Sequence, residues 1–445
     1  MPRLDISATP DAERRCEVFV IGCGPAGSTI STLLAQKGRD VATVDKDRHP
    51  RFHIGESLLP LNMPILQRLG VWEELQKIGI RKDAAEFESR ARGKTVCFRF
   101  EEAFDKRWPY AFQVRRSQYD LMLLQNAAAK GARIYEGARV TAVEFGDLAK
   151  GQEHVVTVQP ENGEAQTWRT RFLVDASGRD TFLSGRFGIK RKNKHHASAA
   201  IFGHFRNARR NAGAAEGHIT IAWFDQGWFW FIPLYDGITS VGAVCRPEYL
   251  KTRKNSPTEF LMQTIAQSPE IAARLEKAEI IEPATATGNY SYTSEYMSGN
   301  GFLMVGDAWA FVDPVFSSGV YLAMNSATLG ADVVDQVLAD PARAPRLYRQ
   351  FDRTIRRGVK TFSWLIYRMT SPAIRQLFMA PRNVFGVQSA VISLLAGDVF
   401  SDGPVRPRLY LFRAIYYMKC VAMLPDSLRA WRERQRNTRV VSDLR

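Results

Sequence analysis

Residues 17–27 read EVFVIGCGPAG, and this stretch decides the fold. Its apolar first half predicts a short buried strand, and a glycine-rich turn follows directly. Residues 28–38, STISTLLAQKG, carry a helical pattern closed by glycine, and a second strand, DVATVD, ends at Asp45. The strand, turn, helix and second strand make a βαβ unit. In that context GxGxxG is typical of dinucleotide binding.

Each residue of the turn has a predicted role. Gly22 makes the tight turn, Gly24 lets the backbone approach a pyrophosphate, and Gly27 allows the helix and strand to pack closely. The helix N-terminus favours the negative charge of the phosphates. Asp45, 23 residues after Gly22, is placed to bond ribose hydroxyls. The predicted cofactor-binding residues of this unit are Gly22, Gly24, Pro25, Ala26, Gly27 and Asp45.

The composition is that of a globular protein with a basic end. Of the 445 residues 45% are apolar and 24% charged, which is enough for a large core and excludes disorder. The net charge is +15, and residues 341–445 hold 20 lysines and arginines against 6 acidic residues, or +14. Three interpretations of this end stay open: a solvated helical surface, a dock for an acidic protein, and contact with anionic lipid. No nucleic-acid partner is predicted, because no nucleic-acid-binding motif accompanies the charge.

The cysteines and the N-terminal residues indicate where in the cell the protein is expected. Five cysteines without a CxxC or Cys/His pairing predict neither disulfides nor a metal site, and a reducing cytoplasm is the expected location. The first 17 residues are polar and hold four acidic side chains, unlike a secretory or organellar signal. The uncharged run 383–397 is too short for a membrane span. We predict no transmembrane segment, while peripheral membrane contact of the C-terminus stays open.

A second glycine motif separates FAD from NAD. Residues 301–314, GFLMVGDAWAFVDP, run from an apolar strand into Gly306 and Asp307. This pattern resembles the second FAD motif of the p-hydroxybenzoate-hydroxylase-like flavoproteins, in which the aspartate contacts the ribityl and ribose region. Residues 172–178, FLVDASG, and 114–124, VRRSQYDLMLL, resemble the same class. The resemblance implies that FAD is the cofactor.

The rest of the chain divides into strand-rich and helical parts. Alternating apolar patterns between residues 197 and 245 predict an antiparallel sheet, and the pattern turns helical from about residue 340. The predicted fold is α/β: an FAD-binding Rossmann-like domain of the p-hydroxybenzoate-hydroxylase type, with an inserted antiparallel β-sheet substrate domain and a C-terminal helical region. The predicted boundaries are 1–185 and 290–340 for FAD binding, 186–289 for the substrate sheet, and 341–445 for the basic helical region.

Two further motifs narrow the chemistry. Residues 228–233, WFWFIP, fit WxWxIP, and residues 311–319, FVDPVFSSG, fit FxxPxxSxG. With the GxGxxG turn these are signatures of the FAD-dependent halogenases. The chain resembles that family to about residue 340, including the segment RFHIGESLLP at 51–60.

The resemblance implies a separate role for each of several residues. Reduced FAD, O2 and a halide ion form hypohalous acid, and Lys82 relays the halogen to the substrate. Ser318 and Gly319 hold the halide through backbone N–H groups, and Trp228 and Trp230 separate flavin from substrate. The further cofactor-binding residues that the resemblance implies are Arg51, His53, Gly55, Glu56, Arg116, Gly306, Asp307 and Pro314.

Two departures from the family pattern bear on the site. Family members commonly have a glycine soon after the lysine, whereas this chain has Asp83 and Ala84. Tryptophan halogenases carry a glutamate within the PxxS element, where this chain has Phe316 in the predicted substrate pocket. The chain therefore resembles the phenol and pyrrole halogenases, including those acting on pyrrolyl groups tethered to an acidic carrier protein. The single dinucleotide fingerprint predicts a separate flavin reductase as the source of FADH2.

Three alternatives stay open from sequence. An aromatic hydroxylase of the same fold would consume NADPH itself and should lack WxWxIP. A geranylgeranyl-reductase-like enzyme is favoured by the GES segment and, if the C-terminus contacts a membrane, by its basic and aromatic composition. A flavin-binding docking subunit without turnover is a different class of protein, against which Lys82, Ser318 and Gly319 argue.

Overall fold

The computed structural model describes residues 14–89, 93–193, 197–288 and 291–442, the last nine of them by backbone alone. None of the helices in these ranges combines the length and the apolar character that crossing a bilayer requires. The cysteines in these ranges are all free.

Strands and helices alternate over the first half of the chain, and helices dominate the end. The strands are β1 Arg14–Ile21, β2 Val41–Asp45, β3 Gly79–Lys82, β4 Ala84–Ser89, β5 Lys94–Arg99, β6 Ala111–Val114, β7 Arg133–Glu136, β8 Ala138–Glu144, β9 His154–Pro160, β10 Gln166–Asp175, β11 Lys190–Lys192, β12 Ala199–Arg206, β13 Ile219–Phe224, β14 Gly227–Pro233, β15 Thr239–Cys245, β16 Glu279–Ile280, β17 Thr285–Thr287, β18 Tyr292–Ser294, β19 Ser298–Gly299, β20 Phe302–Met304 and β21 Ala310–Phe311. The helices are α1 Pro25–Gln36, α2 Met63–Leu69, α3 Trp72–Ile78, α4 Arg116–Ala129, α5 Phe182–Arg186, α6 Pro247–Lys251, α7 Pro257–Ile265, α8 Pro269–Arg274, α9 Ser318–Ala339, α10 Ala344–Ile366, α11 Pro372–Met379, α12 Val387–Leu395, α13 Val405–Ala422 and α14 Leu424–Ser442.

The first sheet is the dinucleotide-binding layer. Its main order is β19-β20-β10-β1-β2-β7, and β1 pairs in parallel with β2 and β10. Residues Val18, Phe19 and Val20 of β1 are fully buried, as expected for a parallel strand covered on both faces. The carboxyl ends of β1, β2, β10 and β20 lie at one edge, where open α/β sheets bind ligands.

The second sheet has the order β16-β12-β15-β14-β13-β4-β5, with β17 also paired to β12. Side chains along β14 alternate: Trp228 and Trp230 face the main core, whereas Phe229 and Phe231 face a second core beneath α7 and α8. All pairings in this sheet are antiparallel except that β13 runs parallel to β4. The predicted fold class, with an inserted and mostly antiparallel sheet, is confirmed.

The second sheet extends beyond the range predicted for it. Strands β4 and β5 come from residues 84–99, which the predicted boundaries assign to the FAD-binding part. The pairing of β4 with β13 joins segments more than a hundred residues apart, so local sequence patterns could not indicate it. The boundaries 1–185 with 290–340, 186–289 and 341–445 stay a prediction.

The C-terminal helices cover the end of the second sheet. Helix α10 buries Leu347, Phe351 and Ile355, which recur every four residues and so share one face. Phe378 of α11 reaches the sheet, with its ring centroid 4.9 Å from that of Phe87. The predicted helical C-terminal region is confirmed, and its first helices, α10 and α11, pack on the core.

Candidate active site

The glycine-rich turn has the tight geometry that its sequence predicts. Gly22 has φ +100°, and a Cβ there would lie 2.5 Å from the Ala176 carbonyl oxygen. A Cβ on Gly27 would lie 1.8 Å from the Gly22 carbonyl oxygen, so the helix can start here only without a side chain. By contrast, a Cβ on Gly24 would meet nothing closer than 3.9 Å, the distance to Arg51 Nη2. This open space is where the backbone was predicted to approach a pyrophosphate.

Asp45 at the end of β2 closes the turn from the other side. One carboxylate oxygen accepts a hydrogen bond from the Cys23 N–H at 2.6 Å, and the other accepts one from the Asp47 N–H at 2.9 Å. The same carboxylate lines the cavity described next. It therefore holds the turn and still faces the position predicted for the ribose.

A cavity of about 600 Å³ lies between the two sheets at the carboxyl edge of the first. Most of the predicted site residues line it. They are Gly22, Gly24, Pro25, Ala26, Asp45, Arg51, His53, Gly55, Glu56, Arg116, Trp228, Trp230, Asp307, Pro314 and Gly319. Five predicted residues do not line it, namely Gly27, Lys82, Gly306, Phe316 and Ser318. Gly27 and Gly306 act instead through close packing, since a Cβ on Gly306 would lie 3.0 Å from the Ala323 Cβ.

Arg116 brings a buried charge to the cavity. Its guanidinium makes two hydrogen bonds to Asp120, at 2.7 and 2.9 Å, and donates a third to the Ile54 carbonyl at 2.7 Å. Burial opposes ionisation of Asp120, but the guanidinium outweighs it and holds the pKa of this carboxyl below its usual range. The charge of Arg116, followed by burial, lowers the pKa of His53 to about 4. A neutral imidazole and a permanent cation therefore flank the same part of the cavity.

Two predicted acidic residues face the cavity in a desolvated state. Burial raises the pKa of Asp307 to about 7. Glu56, only 1% exposed, has one carboxylate oxygen 2.8 Å from His204 Nε2, and its other oxygen has no partner among the described residues. Burying such an atom without a partner is costly.

These features fit FAD. A helix N-terminus adjoins the open space at Gly24, and Asp45 and Asp307, the two acidic residues predicted to contact sugar hydroxyls, both line the cavity. The volume lies in the range of small-molecule and cofactor sites.

The two tryptophans of the WxWxIP motif form one wall of the cavity. Both project from the same face of β14, and their ring centroids are 6.2 Å apart. The Trp230 indole N–H donates to Ser240 Oγ at 3.1 Å, which fixes the ring orientation. A Cβ on Gly242 would lie 2.3 Å from the Trp230 ring, so the neighbouring strand leaves room for this ring only because it has glycine there.

The FxxPxxSxG loop leads from the cavity into α9. The Asp313 carboxylate accepts hydrogen bonds from the Val315 N–H at 3.1 Å and from Ser198 Oγ at 2.6 Å, which anchors the loop. Ser317 has φ +55° and precedes the first residue of the helix, Ser318. The first N–H groups of a helix have no partner within it. Gly319 borders the cavity, whereas Ser318 and Phe316 are buried behind it.

Lys82 is buried outside the cavity but one side chain away from it. Its ammonium nitrogen donates to Ser57 Oγ at 2.9 Å and to the Leu58 carbonyl at 2.6 Å. The nitrogen also lies 5.3 Å from the Phe100 ring centroid. The side chain is 1% exposed, and burial lowers the pKa of Lys82 to about 7. Ser57 itself lines the cavity, so this hydroxyl stands between the cavity and the amine.

Backbone pairing explains how Lys82 reaches Ser57. Strand β6 lies between them: Lys82 of β3 is opposite Ala111, and Ser57 bridges to Gln113. Sequence reasoning did not single out Ser57. Its place in the GES segment, directly after Gly55 and Glu56, was the signal that could have identified it.

One cluster outside the cavity offers metal-ligand atoms, although no metal site was predicted. Glu86 and Cys97 are cross-strand partners on β4 and β5, and with His218 they place one ligand atom each within 4.8 Å of the others. Glu86 already accepts hydrogen bonds from His218 at 2.9 Å and from Asn211 at 2.8 Å. These contacts satisfy the carboxylate without an ion.

The chain is similar to known flavoproteins over most of its length. Residues 15–349 match the family described as FAD binding domain. A tryptophan 2-halogenase from Chondromyces crocatus is 36% identical over 344 residues, which make up 75% of this chain and 64% of that protein. A 1H-pyrrole-2-carbonyl (peptidyl-carrier protein) chlorinase from Pseudomonas fluorescens is 30% identical over 414 residues, 86% of this chain and 90% of that protein.

A solved structure agrees with these relatives. The structure of the myxobacterial chondrochloren halogenase CndH, described as a variant of FAD-dependent halogenases, has a TM-score of 0.75 and 30% identity. The match covers 92% of this chain and 97% of that one. The chain therefore belongs to the FAD-dependent halogenase family, with FAD as its cofactor.

Proposed function

We propose that the protein is a two-component halogenase, which receives reduced FAD from a separate reductase and halogenates a phenol or pyrrole ring carried by an acidic carrier protein. The observation that carries this proposal is the position of Lys82, buried behind Ser57 and one hydrogen bond away from a cavity with the features of an FAD site. When bound, reduced FAD supplies hypohalous acid from O2 and a halide ion.

The role of Lys82 follows from its surroundings. With a pKa of about 7, both the ammonium and the neutral amine are populated near neutral pH. The ammonium can donate a hydrogen bond to the oxygen of hypohalous acid, which makes the halogen more electrophilic. The neutral amine can instead attack the halogen, so that the O–halogen bond breaks, a haloamine forms, and the oxygen leaves as water with the amine proton. A positioned donor of this kind contributes roughly 10²–10⁴-fold to a rate. Lys82 is therefore the proposed catalytic residue.

The start of α9 is the proposed halide site. A helix of 22 residues begins at Ser318, and the N–H groups of Ser318 and Gly319 belong to its first turn. These N–H groups and the positive end of the helix dipole favour an anion. Gly319 borders the cavity, so a halide held here would lie next to the flavin site.

The tryptophan wall and Phe316 bear on the substrate. Trp228 and Trp230 close one side of the flavin cavity, which would keep the aromatic substrate away from the flavin and so disfavour hydroxylation. Phe316 is 4% exposed and offers no charge to polarise a ring. A ring that is already electron-rich suits such a pocket. The Pseudomonas fluorescens relative, whose name specifies a pyrrole on a carrier protein, supports a tethered substrate.

The test is a reaction with a supplied flavin reductase, chloride or bromide, and phenol or pyrrole acids offered both free and as carrier-protein thioesters. Mass spectrometry of the products should show a halogen on the tethered ring. A halogen on free acids alone would contradict the tethered substrate, and a hydroxyl in place of halogen would contradict the proposed reaction.

The same reaction without a reductase tests the two-component proposal. The sequence contains one GxGxxG turn, and we assign its cavity to FAD. NADPH should therefore be oxidised no faster with the protein than with free FAD. Rapid NADPH consumption stimulated by substrate would contradict the need for a reductase.

A further inference from the structure

The last two described helices carry apolar side chains on their solvent side. Along α13 and α14 these side chains recur at spacings of three, four and seven residues, so within each helix they share a face. Leu409 and Phe412, on the other side of α13, are buried in the core. The exposed residues that follow these spacings, which we call the apolar stripe, are Tyr410, Tyr417, Val421, Leu424, Leu428 and Trp431. Met418, next to Tyr417, is exposed as well and lies beside the stripe.

The apolar stripe is a ridge rather than a groove. Each of its side chains is between 43% and 72% exposed, with Val421 the most exposed, whereas side chains lining a groove are shielded by its walls. Helix α13 ends at Ala422 and α14 begins at Leu424, so each helix contributes its own part of the stripe. Exposed apolar side chains grouped in this way are unusual on a protein surface that faces only water.

Basic side chains accompany the apolar stripe. Residues 405–433 contain six lysines and arginines against two acidic residues. Arg406 and Arg432 are exposed, and the Arg413 guanidinium lies 5.4 Å from the Tyr410 ring centroid. The stripe thus combines tyrosine, tryptophan and aliphatic side chains with flanking cations.

We propose that the apolar stripe binds the surface of an anionic membrane, with α13 and α14 lying in the headgroup region. An apolar helix face with aromatic residues and flanking Lys and Arg is the pattern of interfacial helices. Tyrosine and tryptophan suit this depth because their rings are apolar and their O–H or N–H groups stay hydrated. Flanking cations add attraction to anionic lipid headgroups.

Shape and charge favour a lipid surface over other partners. A second copy of the chain would bring two strongly basic regions together, since residues 341–445 carry +14. An acidic carrier protein matches the charge but would have to cover protruding apolar side chains on two successive helices. A lipid surface satisfies both features, because it is negative, extended and deformable.

Vesicle binding by the full-length holoprotein tests this proposal. The protein should sediment with vesicles of phosphatidylglycerol and phosphatidylcholine, much less with phosphatidylcholine alone, and less as salt rises because exposed charges are screened. Val421→Asp should weaken binding by about tenfold or more, since it removes a buried apolar contact and adds a negative charge.

Ala422→Asp is the matched control. Ala422 is exposed and lies about 100° around the helix from Val421, so the variant adds the same charge away from the stripe. It should weaken binding much less. Trp431→Phe should keep vesicle binding but lose part of the fluorescence that brominated lipid chains quench.

Three results would overturn the proposal. The first is failure of the wild-type holoprotein to bind anionic vesicles at any salt concentration. The second is equal weakening of vesicle binding by Val421→Asp and Ala422→Asp, which would mean that the added negative charge alone accounts for the loss. The third is a protein that does not bind vesicles but forms a dimer or binds a carrier protein, and loses that interaction selectively in the Val421→Asp variant.

Discussion

Replacing Lys82 with methionine should change how the stability of the protein depends on pH. Lys82 is buried, and burial lowers its pKa from 10.5 to about 7. Between these values the unfolded chain holds a proton on this lysine that the folded protein has largely released. Burying Lys82 destabilises the folded protein at low pH. Because the unfolded state binds more protons, this destabilisation decreases as pH rises through this window. Methionine keeps the length and burial of the side chain but cannot ionise.

The expected size of the effect follows from the shift. At pH 7 the folded lysine is about half protonated, and at pH 9 it is almost fully neutral, while the unfolded lysine stays mostly charged. Each full proton of difference is worth about 1.4 kcal/mol for every pH unit. From pH 7 to pH 9, the wild type should therefore gain about 2 kcal/mol of unfolding free energy relative to Lys82→Met. Hydrogen bonds that methionine cannot make to Ser57 and Leu58 are lost at both pH values and cancel in this comparison.

Urea unfolding of the FAD-saturated proteins at the two pH values measures this difference. Lys277→Met is the matched control, because Lys277 is exposed, and its unfolding free energy should follow that of the wild type. If wild type and Lys82→Met show the same pH dependence, Lys82 does not sit in the desolvated environment described, and its role as an amine near neutral pH loses its physical basis.

Other substitutions test separate parts of the site. Ser57→Ala should slow halogenation by about tenfold with little change in FAD affinity, because one hydrogen bond to the lysine is lost; rapid-quench product formation and a fluorescence titration measure the two, and an unchanged rate would count against the contact. Gly27→Ala should unfold more easily than Gly24→Ala, since only its Cβ meets backbone, at 1.8 Å; thermal unfolding compares them, and equal losses would contradict the turn geometry. Asp120→Asn should lower the free energy of unfolding by about 3 kcal/mol or more, because it leaves the Arg116 charge buried without its partner. Urea unfolding measures this, and a variant as stable as the wild type would refute it.

Local patterns were enough to predict the strand, turn and helix at the start of the first sheet. Gly22 and Gly27 belong to elements that are adjacent in sequence, and the structure has the tight turn and close packing that the pattern indicates. The ribose contact of Asp45 stays a prediction. Trp228 and Trp230 are two residues apart in a strand, which puts both on one face, and their ring centroids are 6.2 Å apart. In these cases the spacing along the chain determines the geometry directly.

Contacts between distant segments could not be predicted in the same way. Ser57 meets Lys82 only because β6 pairs with both segments, and His204 meets Glu56 across 148 residues. The parallel pairing of β4 with β13 has no local signal, since each strand has only six residues and the two are more than a hundred residues apart. Long-range register depends on how the whole core packs, and one sequence does not contain that information in any single segment.

The most direct test of the central claim is the yield of halogenated product per reduced flavin consumed, measured for the wild type and for Lys82→Met with chloride, bromide and a carrier-tethered ring. We expect both proteins to bind FAD and to consume reduced flavin, because Lys82 lies outside the cavity lining, but only the wild type to form halogenated product. Equal product yield from the variant would contradict the claim that Lys82 delivers the halogen.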